Sequence, residues 1–499
     1  MSSILRWLAA CCAVVALAAS GPKNVVVILL DDVGIDQLAA YDDQNHYSDP
    51  DGYAYAYTPN IDALAANGVR FNQYRTMPVC SPTRASLLSG RYPFHHGAGV
   101  AVKSNHGSPV FHEFDRYPSP RFMLLPGVLE KNGIETAAIG KWHLGLEASF
   151  GGTMDSHPTD VGFSTWWGVP ANMASEGGPP QANYYDYWWV ENVTRSHLQG
   201  VYVTEQTAVR AQAWIAGAPE PFFLYLPLNA CHAPLGGVNW PPSDHGFGSV
   251  PPPVNYKNTG FRACLENADA KIGEVLSVLG PDTLVILAGD NGTLPGALRV
   301  PNGEVRYPVG HPLYRPGDET KALSTAPHQP WKAKKSVYEG GIRVPLIVSG
   351  AGVVAPGRAC DDLVDVVDLY PTIAALTGSK YPAGKLDGQD FSKLLTKANA
   401  RGDRDWSYAE YFTPNGLGTP ASRTIQKRAY IRRERQNLWK LIQIVQNDHG
   451  QPTKSWYEFY RVAAGKPALA DPLENDDLGT SHPEFQETQR DFLELVGNG

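Results

Sequence analysis

At 499 residues, with 43% apolar and 18% charged, the chain is globular and long enough for two or three domains or one large domain with an appendage. Its formal charge of −8 predicts no basic footprint and argues against nucleic acid as the main partner. The 49 Gly, 41 Pro, 24 Tyr and 12 Trp point to many ordered loops with aromatic faces and away from a helical bundle.

Residues 1–20 read as a secretory signal, with Arg6 as the positive end, an apolar stretch from Leu8, and Ala18-Ala19-Ser20 as a small-residue cleavage site. The stretch is shorter than the ~20 residues a bilayer span needs; an uncleaved anchor is the alternative. No later segment reads as transmembrane. Cys11 and Cys12 leave with the signal, so the mature chain keeps Cys80, Cys231, Cys264 and Cys360. Four cysteines do not make a disulfide scaffold, and stability must come from a large core.

Residues 24–30 are a continuous β-branched run, which predicts a strand buried on both faces. Asp31 and Asp32 follow at its carboxyl end, where open α/β sheets place their sites. Adjacent carboxylates repel, so a cation between them explains the pair; a solvated loop or a helix N-cap is the plainer reading. Residues 58–65 predict a capped helix that stops at Gly68. Next comes Cys80-Ser81-Pro82-Thr83-Arg84-Ala85-Ser86-Leu87-Leu88-Ser89-Gly90-Arg91. Pro82 suits the first turn of a helix and Gly90 its left-handed stop. That places Cys80 just before a helix N-terminus and Arg84 on the first turn, a cysteine presented at an anion site. A buried structural cysteine is the competing reading.

Residues 134–139 predict a second strand, running into Gly140-Lys141-Trp142-His143-Leu144-Gly145; an extended chain there points Lys141 and His143 the same way. Residues 221–228 predict a third, followed by Asn229-Ala230-Cys231-His232-Ala233-Pro234. Cys231 beside His232 is not read as a metal site, since no second Cys or His pair accompanies it. Residues 283–288 predict a fourth strand ending in Gly289-Asp290-Asn291-Gly292. Asp290 and Asn291 join Asp31 and Asp32 as hard-oxygen candidates. Asn291-Gly292-Thr293 and Asn192-Val193-Thr194 are both formal glycosylation sequons; the first is assigned to a metal and only Asn192 to glycan. Residues 293–331 are Gly- and Pro-rich and read as a long functional loop. Beyond them lie Lys332, Lys334, Lys335 and Tyr338-Glu339-Gly340-Gly341. Residues 344–348 read as a strand, and 363–377 as a helix capped by Asp361 or Asp362 and stopped by Gly378. After about Leu395, alternating runs at 429–432, 438–444 and 456–460 predict antiparallel strands. Trp166, Trp167 and residues 184–189 are either sugar-stacking aromatics or packing.

These stretches resemble the type I, formylglycine-dependent sulfatases of the alkaline phosphatase superfamily. The resemblance rests on Cys80-x-Pro82-x-Arg84 with Leu87 and Ser89-Gly90-Arg91, on Gly140-Lys141-Trp142-His143-Leu144-Gly145, on His232-x-Pro234, on Tyr338-Glu339-Gly340-Gly341 and on the acidic strand ends, all in family order. Ser89 stands where Thr is more usual and keeps the hydroxyl. The resemblance implies an α/β sandwich with a large mixed, mainly parallel sheet between helices and a small C-terminal antiparallel sheet subdomain with a helix. The boundaries expected are 1–20 signal, 21–395 catalytic domain and 396–499 C-terminal subdomain. It implies that Cys80 is oxidised to formylglycine during secretion by a formylglycine-generating enzyme, which leaves Cys231, Cys264 and Cys360 for at most one disulfide. Asp31, Asp32, Asp290 and Asn291 would hold Ca2+, with Mg2+ as the alternative; an all-oxygen set disfavours Zn2+. The hydrated aldehyde at position 80 would attack sulfur. Arg84 and Lys141 would position it and the sulfate, and Lys334 and His232 would contact the sulfate. His232 would donate the proton to the leaving alcohol, and His143 would assist breakdown of the covalent intermediate. Lys334 carries the lysine role because it lies four residues before Tyr338, with Lys332 and Lys335 as close neighbours. The partners implied are a sulfated small molecule or glycan, with no nucleic acid and no stable membrane span. The location implied is secreted, periplasmic or lysosome-like. The alternatives are a phosphonate monoester or phosphodiester hydrolase of the same superfamily, and a secreted non-catalytic binding protein in which Cys80 stays unconverted.

Overall fold

The computed structural model describes residues 21–44, 55–102, 124–145, 157–172, 183–235, 239–242, 256–294, 297, 332–382, 386–416, 423–448, 451–463, 470–471, 474 and 477–497. The signal segment and nearly all of the 293–331 loop therefore lie outside the described residues.

Ten strands form one sheet: β1 (Asn24–Leu30), β2 (Gly68–Arg75), β3 (Glu135–Lys141), β4 (Thr165–Val169), β5 (Asp186–Glu191), β6 (Thr194–Gln199), β7 (Phe222–Pro227), β8 (Thr283–Gly289), β9 (Leu346–Gly350) and β10 (Arg358–Asp365). Their order is β10-β2-β9-β8-β1-β7-β3-β4-β5-β6. The central run β8-β1-β7-β3-β4 is parallel, so these strands end at the same edge. Antiparallel β9 and the β5–β6 hairpin make the sheet mixed.

Alternate residues of β1 enter two separate cores. Val25, Val27 and Leu29 pack with Leu87, Leu125 and Ile373 on one face. Val26, Ile28 and Leu30 pack with Trp214, Phe261 and Ile272 on the other. Helices Cys80–Ser89, Leu125–Lys131 and Leu369–Leu376 supply the first cover, and Val203–Gly217 and Tyr256–Leu276 the second. This is why the continuous apolar run is not an alternating one.

A second, four-stranded antiparallel sheet has the order β11 (Trp406–Thr413), β12 (Ile425–Glu434), β13 (Asn437–Asp448) and β14 (Gln451–Ala463). Helix Pro483–Gly497 closes it, burying Phe485 and Phe492.

Three local expectations are corrected. The 363–377 stretch is not one helix. Leu363 and Val364 belong to β10, which pairs with β2, and the helix begins only at Leu369. A 3-10 turn, Val366–Asp368, leads into it, capped by Asp365 in a reciprocal box with Asp368, and neither Asp361 nor Asp362 caps the helix. The cysteine helix starts two residues before Pro82, so Cys80 is its first residue, though Gly90 does take the left-handed conformation at φ 65°. His143 is not extended; it sits at φ 58°. Of the aromatic candidates, Trp166, Tyr184, Tyr187 and Trp189 are buried and follow the packing reading. Cys80, Cys231, Cys264 and Cys360 are all free and buried, so no disulfide joins them. Among the described residues no helix is long and apolar enough to cross a membrane.

Candidate active site

Two parallel strands deliver the acidic groups, and a third closes the site beside them. Asp31 and Asp32 follow β1, and Asp290 and Asn291 follow β8, which is in register with β1 through Leu30↔Gly289. Backbone bonds tie the two ends together: Asp290 N–H donates to Leu30 O at 2.9 Å. The loop after β7 closes the third side, with Cys231 N–H donating to Asp31 O at 2.7 Å. The Asp32 amide, at φ 63°, donates to Asp290 Oδ1 at 3.1 Å. One carboxylate oxygen each from Asp31, Asp32 and Asp290 comes within 4.8 Å of the others, and all three residues are fully buried.

Basic groups enter from elsewhere. Arg84, fully buried on the cysteine helix, donates to Asp290 Oδ2 at 2.8 Å and Asp31 Oδ2 at 3.2 Å. It also caps the end of β3 by donating to Lys141 O at 2.9 Å. Lys141 Nζ donates to the same Asp31 Oδ2. Lys334 Nζ lies 2.5 Å from Asp32 Oδ1 and 3.5 Å from Cys80 Sγ. A ring nitrogen of His232 falls within 4.8 Å of both Cys80 Sγ and an Asp31 oxygen. All ten residues singled out from the sequence therefore lie at or beside one constellation, with His143 placed by its backbone between Pro170 O and the Ser81 hydroxyl.

The choice among the lysines is decided by direction. Lys332 turns away, donating to Glu474 O and lying 5.5 Å from the centre of the Tyr338 ring. Lys335 is exposed. Only Lys334 of the three reaches the cysteine.

The fit of this set to a cation rests on its bare oxygens. Asp31 Oδ1, Asp32 Oδ2 and Asn291 Oδ1 are buried without a hydrogen-bond donor, while Asn291 Nδ2 donates to Asp32 Oδ1 at 2.7 Å. Leaving three buried acceptors bare is costly, and a hard divalent cation is the group that would satisfy them.

Electrostatics separates the acids. Burial raises the Asp31 carboxyl, but Lys141, His232, Arg84 and Lys334 together hold it well below the usual range. Asp32 is pushed up to about 7 by burial, with Asp31 and Asp290 adding and Lys334 opposing. Burial also pushes the Cys80 thiol up to about 11, outweighing Lys141 and Lys334. An unmodified Cys80 is thus a protonated thiol at neutral pH, a poor nucleophile. His143 and His232 are both lowered, chiefly by burial and then by the nearby lysines, and rest neutral. His232 Nδ1 lies 2.6 Å from Ala233 O, so the proton sits on Nδ1 and Nε2 is the free nitrogen.

Two supports were not read from the sequence. Ser81 Oγ donates to His143 O at 2.8 Å and accepts from Val102 N–H at 3.0 Å, tying the cysteine helix to the Lys141–His143 turn. Thr293 Oγ1 accepts from Gly34 N–H at 3.0 Å and donates to Asp36 Oδ1 at 2.7 Å. Thr293 drew notice only as the third residue of a sequon. Gly292 carries a better signal: a Cβ there would lie 1.9 Å from Gly340 O, so the loop carrying Asn291 closes on the Tyr338–Gly341 turn only with glycine. A surface depression of about 350 Å3, lined in part by Asp62, Arg70 and Arg358, lies at the amino-terminal ends of β2 and β10, away from all these groups.

Comparison with known proteins gives a consistent picture. The sulfatase family model matches residues 23–379, and a model described as N-sulphoglucosamine sulphohydrolase, C-terminal, matches residues 328–464. Arylsulfatase A of Bos taurus is 30% identical over 410 residues, covering 76% of this chain and 69% of the relative. N-acetylgalactosamine-6-sulfatase of Canis lupus familiaris is 27% identical over 404 residues, covering 75% of this chain and 66% of the relative. Among solved structures, the PsFucS1 sulfatase from Pseudoalteromonas sp. superposes with a TM-score of 0.64 at 19% identity, over 98% of this chain and 93% of that one. A protein solved with its substrate D-glucosamine-2-N,6-O-disulfate gives 0.61 at 16% identity, over 96% and 97%. At such identities the structural likeness speaks for the fold.

Proposed function

Since this chain belongs to the sulfatase family, with the alkaline-phosphatase-like fold, and is a sulfuric ester hydrolase, we propose that it works through formylglycine made from Cys80 and a divalent cation. The observation that carries this reading is the placement of Cys80 Sγ 3.5 Å from Lys334 Nζ, beside three buried oxygens that lack donors. Cys80 Sγ stands where the oxygens of the modified residue would be.

Asp31, Asp32, Asp290 and Asn291 would hold the cation, Ca2+ first by their hard-oxygen character and Mg2+ as the alternative. The cation would supply Lewis-acid polarisation, and the hydrated aldehyde a nucleophilic oxygen together with a second hydroxyl for release, which Ser or Cys lacks. The remaining tasks fall to side chains of this chain. Arg84 holds Asp31 and Asp290 by a fork of hydrogen bonds, fixing both carboxylates before any ligand arrives. Lys141 keeps Asp31 ionised, and Lys334 spans Asp32 and position 80, where it would meet a sulfuryl oxygen. His232 rests neutral, so acting as the acid for the leaving alcohol requires a proton on Nε2. A bound sulfate monoester, one negative charge set against Lys334 and Lys141, raises the affinity of that nitrogen for the proton. The buried His143 lies beside Lys141 and Arg84 and would assist release.

The substrate class we assign is a sulfated glycan or aryl sulfate. The names of the relatives, arylsulfatase A and N-acetylgalactosamine-6-sulfatase, support that range. The partner in maturation would be a formylglycine-generating enzyme, the route secretory, and the division 21–395 and 396–499.

Mass spectrometry of the peptide carrying residue 80 tests the modification. Protein from a host that makes formylglycine is expected to show the aldehyde and aryl sulfatase activity in proportion to it. Full activity from protein carrying only cysteine would overturn the mechanism, and aldehyde without any hydrolysis would favour the binding-protein alternative.

A further inference from the structure

The second sheet brings one cation, Lys427, against another, Lys335, at the edge of this site. On β11 and β12, Tyr411 pairs with Lys427, and Lys427 Nζ lies 5.1 Å from the centre of the Tyr411 ring. The same ammonium donates to Lys335 O at 3.1 Å. Lys335 is the residue after Lys334, is exposed, and takes φ 74°, so the chain turns there with Lys334 inward and Lys335 outward. Its own amide donates to Pro78 O at 2.8 Å, two residues before Cys80. A lysine of the second sheet and a lysine of the turn that carries Lys334 thus meet beside the cysteine loop. Among the described residues neither forms an ion pair with a carboxylate, although the chain as a whole carries a formal charge of −8. Burial, with Lys335 adding, lowers Lys427 to about 8, the response of an ammonium with no anion beside it. Among the described residues, a carbonyl and a ring face are what hold Lys427.

We propose that Lys427 and Lys335, with Tyr411, form a second anion subsite that binds a sulfate or carboxylate on the sugar next to the one being desulfated. The substrate class this selects is a polyanionic glycan rather than a singly sulfated one. The two ammonium groups take the second anion and Tyr411 offers a flat apolar face to the ring between. The subsite rests on the sulfatase reading but uses none of the residues placed in the reaction. It also assigns the C-terminal sheet a part in choosing substrate.

The test uses 4-methylumbelliferyl sulfate as reporter and three sulfated disaccharides as competitors, alike except that the neighbouring sugar is neutral, carries a carboxylate or carries a second sulfate. With the unaltered enzyme both charged-neighbour compounds are expected to compete about tenfold better than the neutral one. Lys427→Gln should remove most of that preference and leave hydrolysis of the reporter unchanged, and Lys427→Arg should restore it. The carboxylate and sulfate arms tell which anion is taken. If all three disaccharides compete equally, or Lys427→Gln weakens the neutral one as much as the charged ones, the subsite is wrong while the sulfatase reading stands. If none competes while the reporter is hydrolysed, the glycan reading fails and the subsite with it.

Discussion

Two buried charge clusters in this molecule look alike in composition and differ in completeness. Between the two sheets, Arg75 Nη2 meets Glu339 Oε2 at 2.8 Å, and Lys440 Nζ meets Glu339 Oε1 at 2.9 Å and Glu474 Oε1 at 2.6 Å. The Glu339 amide donates to Glu474 Oε2 at 2.7 Å. Both oxygens of Glu339 have donors, and Glu474 Oε1, though without a hydrogen bond of its own, has the Lys440 ammonium directly beside it. At the strand ends, Arg84 and Lys141 crowd onto one oxygen of Asp31 and leave the other bare, and Asp32 and Asn291 each keep a bare oxygen too. A cluster in which each carboxylate oxygen faces a cation or a donor holds the sheets together; one that leaves oxygens of Asp31, Asp32 and Asn291 facing neither is what a cation site would look like before its ion arrives.

The largest expected effect separates binding from stability at the incomplete cluster. Asp32→Asn should lower kcat/KM for an aryl sulfate by ~10^3-fold if Asp32 holds the proposed cation, because that ligand would be lost. In chelator-treated protein the same change should alter unfolding free energy by less than ~1 kcal/mol, since an amide replaces a carboxyl that burial has already pushed up to about 7. Added Ca2+ should raise the Tm of the parent protein and not of the variant. An apo-protein that loses several kcal/mol would show that the bare oxygens are not what distinguishes the site.

The complete cluster should behave in the opposite way. Burial raises Glu339, but Arg75 and Lys440 hold it well below the usual carboxylate range. Glu339→Gln is expected to cost ~3–5 kcal/mol in chemical denaturation by leaving Arg75 and Lys440 short of a charge. A cost under ~1 kcal/mol would erase the contrast.

A smaller effect comes from a buried polar pair that carries no charge. His96 Nε2 lies 3.0 Å from Ser86 Oγ and Nδ1 accepts from Ala98 N–H at 3.1 Å, which fixes a neutral tautomer. Burial lowers His96 to about 3, with Arg91 and His95 adding. The folded value lies below the unfolded one, so the unfolded chain takes the proton first as pH falls. This stability is full above ~6.5 and is lost on acidification towards pH 3, by at most ~1.4 kcal/mol per unit. Urea titrations between pH 4.5 and 7 should show that slope reduced in His96→Gln; an unchanged slope would place the acid sensitivity elsewhere.

What could be read without coordinates follows from the same physics. β1, β7 and β8 are buried on both faces, so their apolar runs are unbroken, and at the carboxyl ends of β1 and β8 the run stops at Asp31 and Asp290. The 363–377 stretch went wrong because Leu363 and Val364 suit a strand and a helix equally, and only pairing with β2 decides. The extended reading of Lys141 and His143 failed on a backbone angle that no side-chain pattern announces. Thr293 works through Gly34 and Asp36 across 259 and 257 residues of sequence, and the Lys427–Lys335 approach joins a strand of the second sheet to the Lys334 turn across 92. Such contacts leave no periodic trace.

The central claim, that this site is arranged for sulfur, is tested most directly by one competition of rates. A preparation with Cys80 conversion quantified would be given an aryl sulfate and the matching aryl phosphate and phosphonate monoesters, all with one leaving group. The placement of Lys334, His232 and Lys141 around position 80 leads us to expect the higher kcat/KM for the sulfate. A higher value for either phosphorus ester would contradict the account and put the phosphonate or phosphodiester hydrolase in its place.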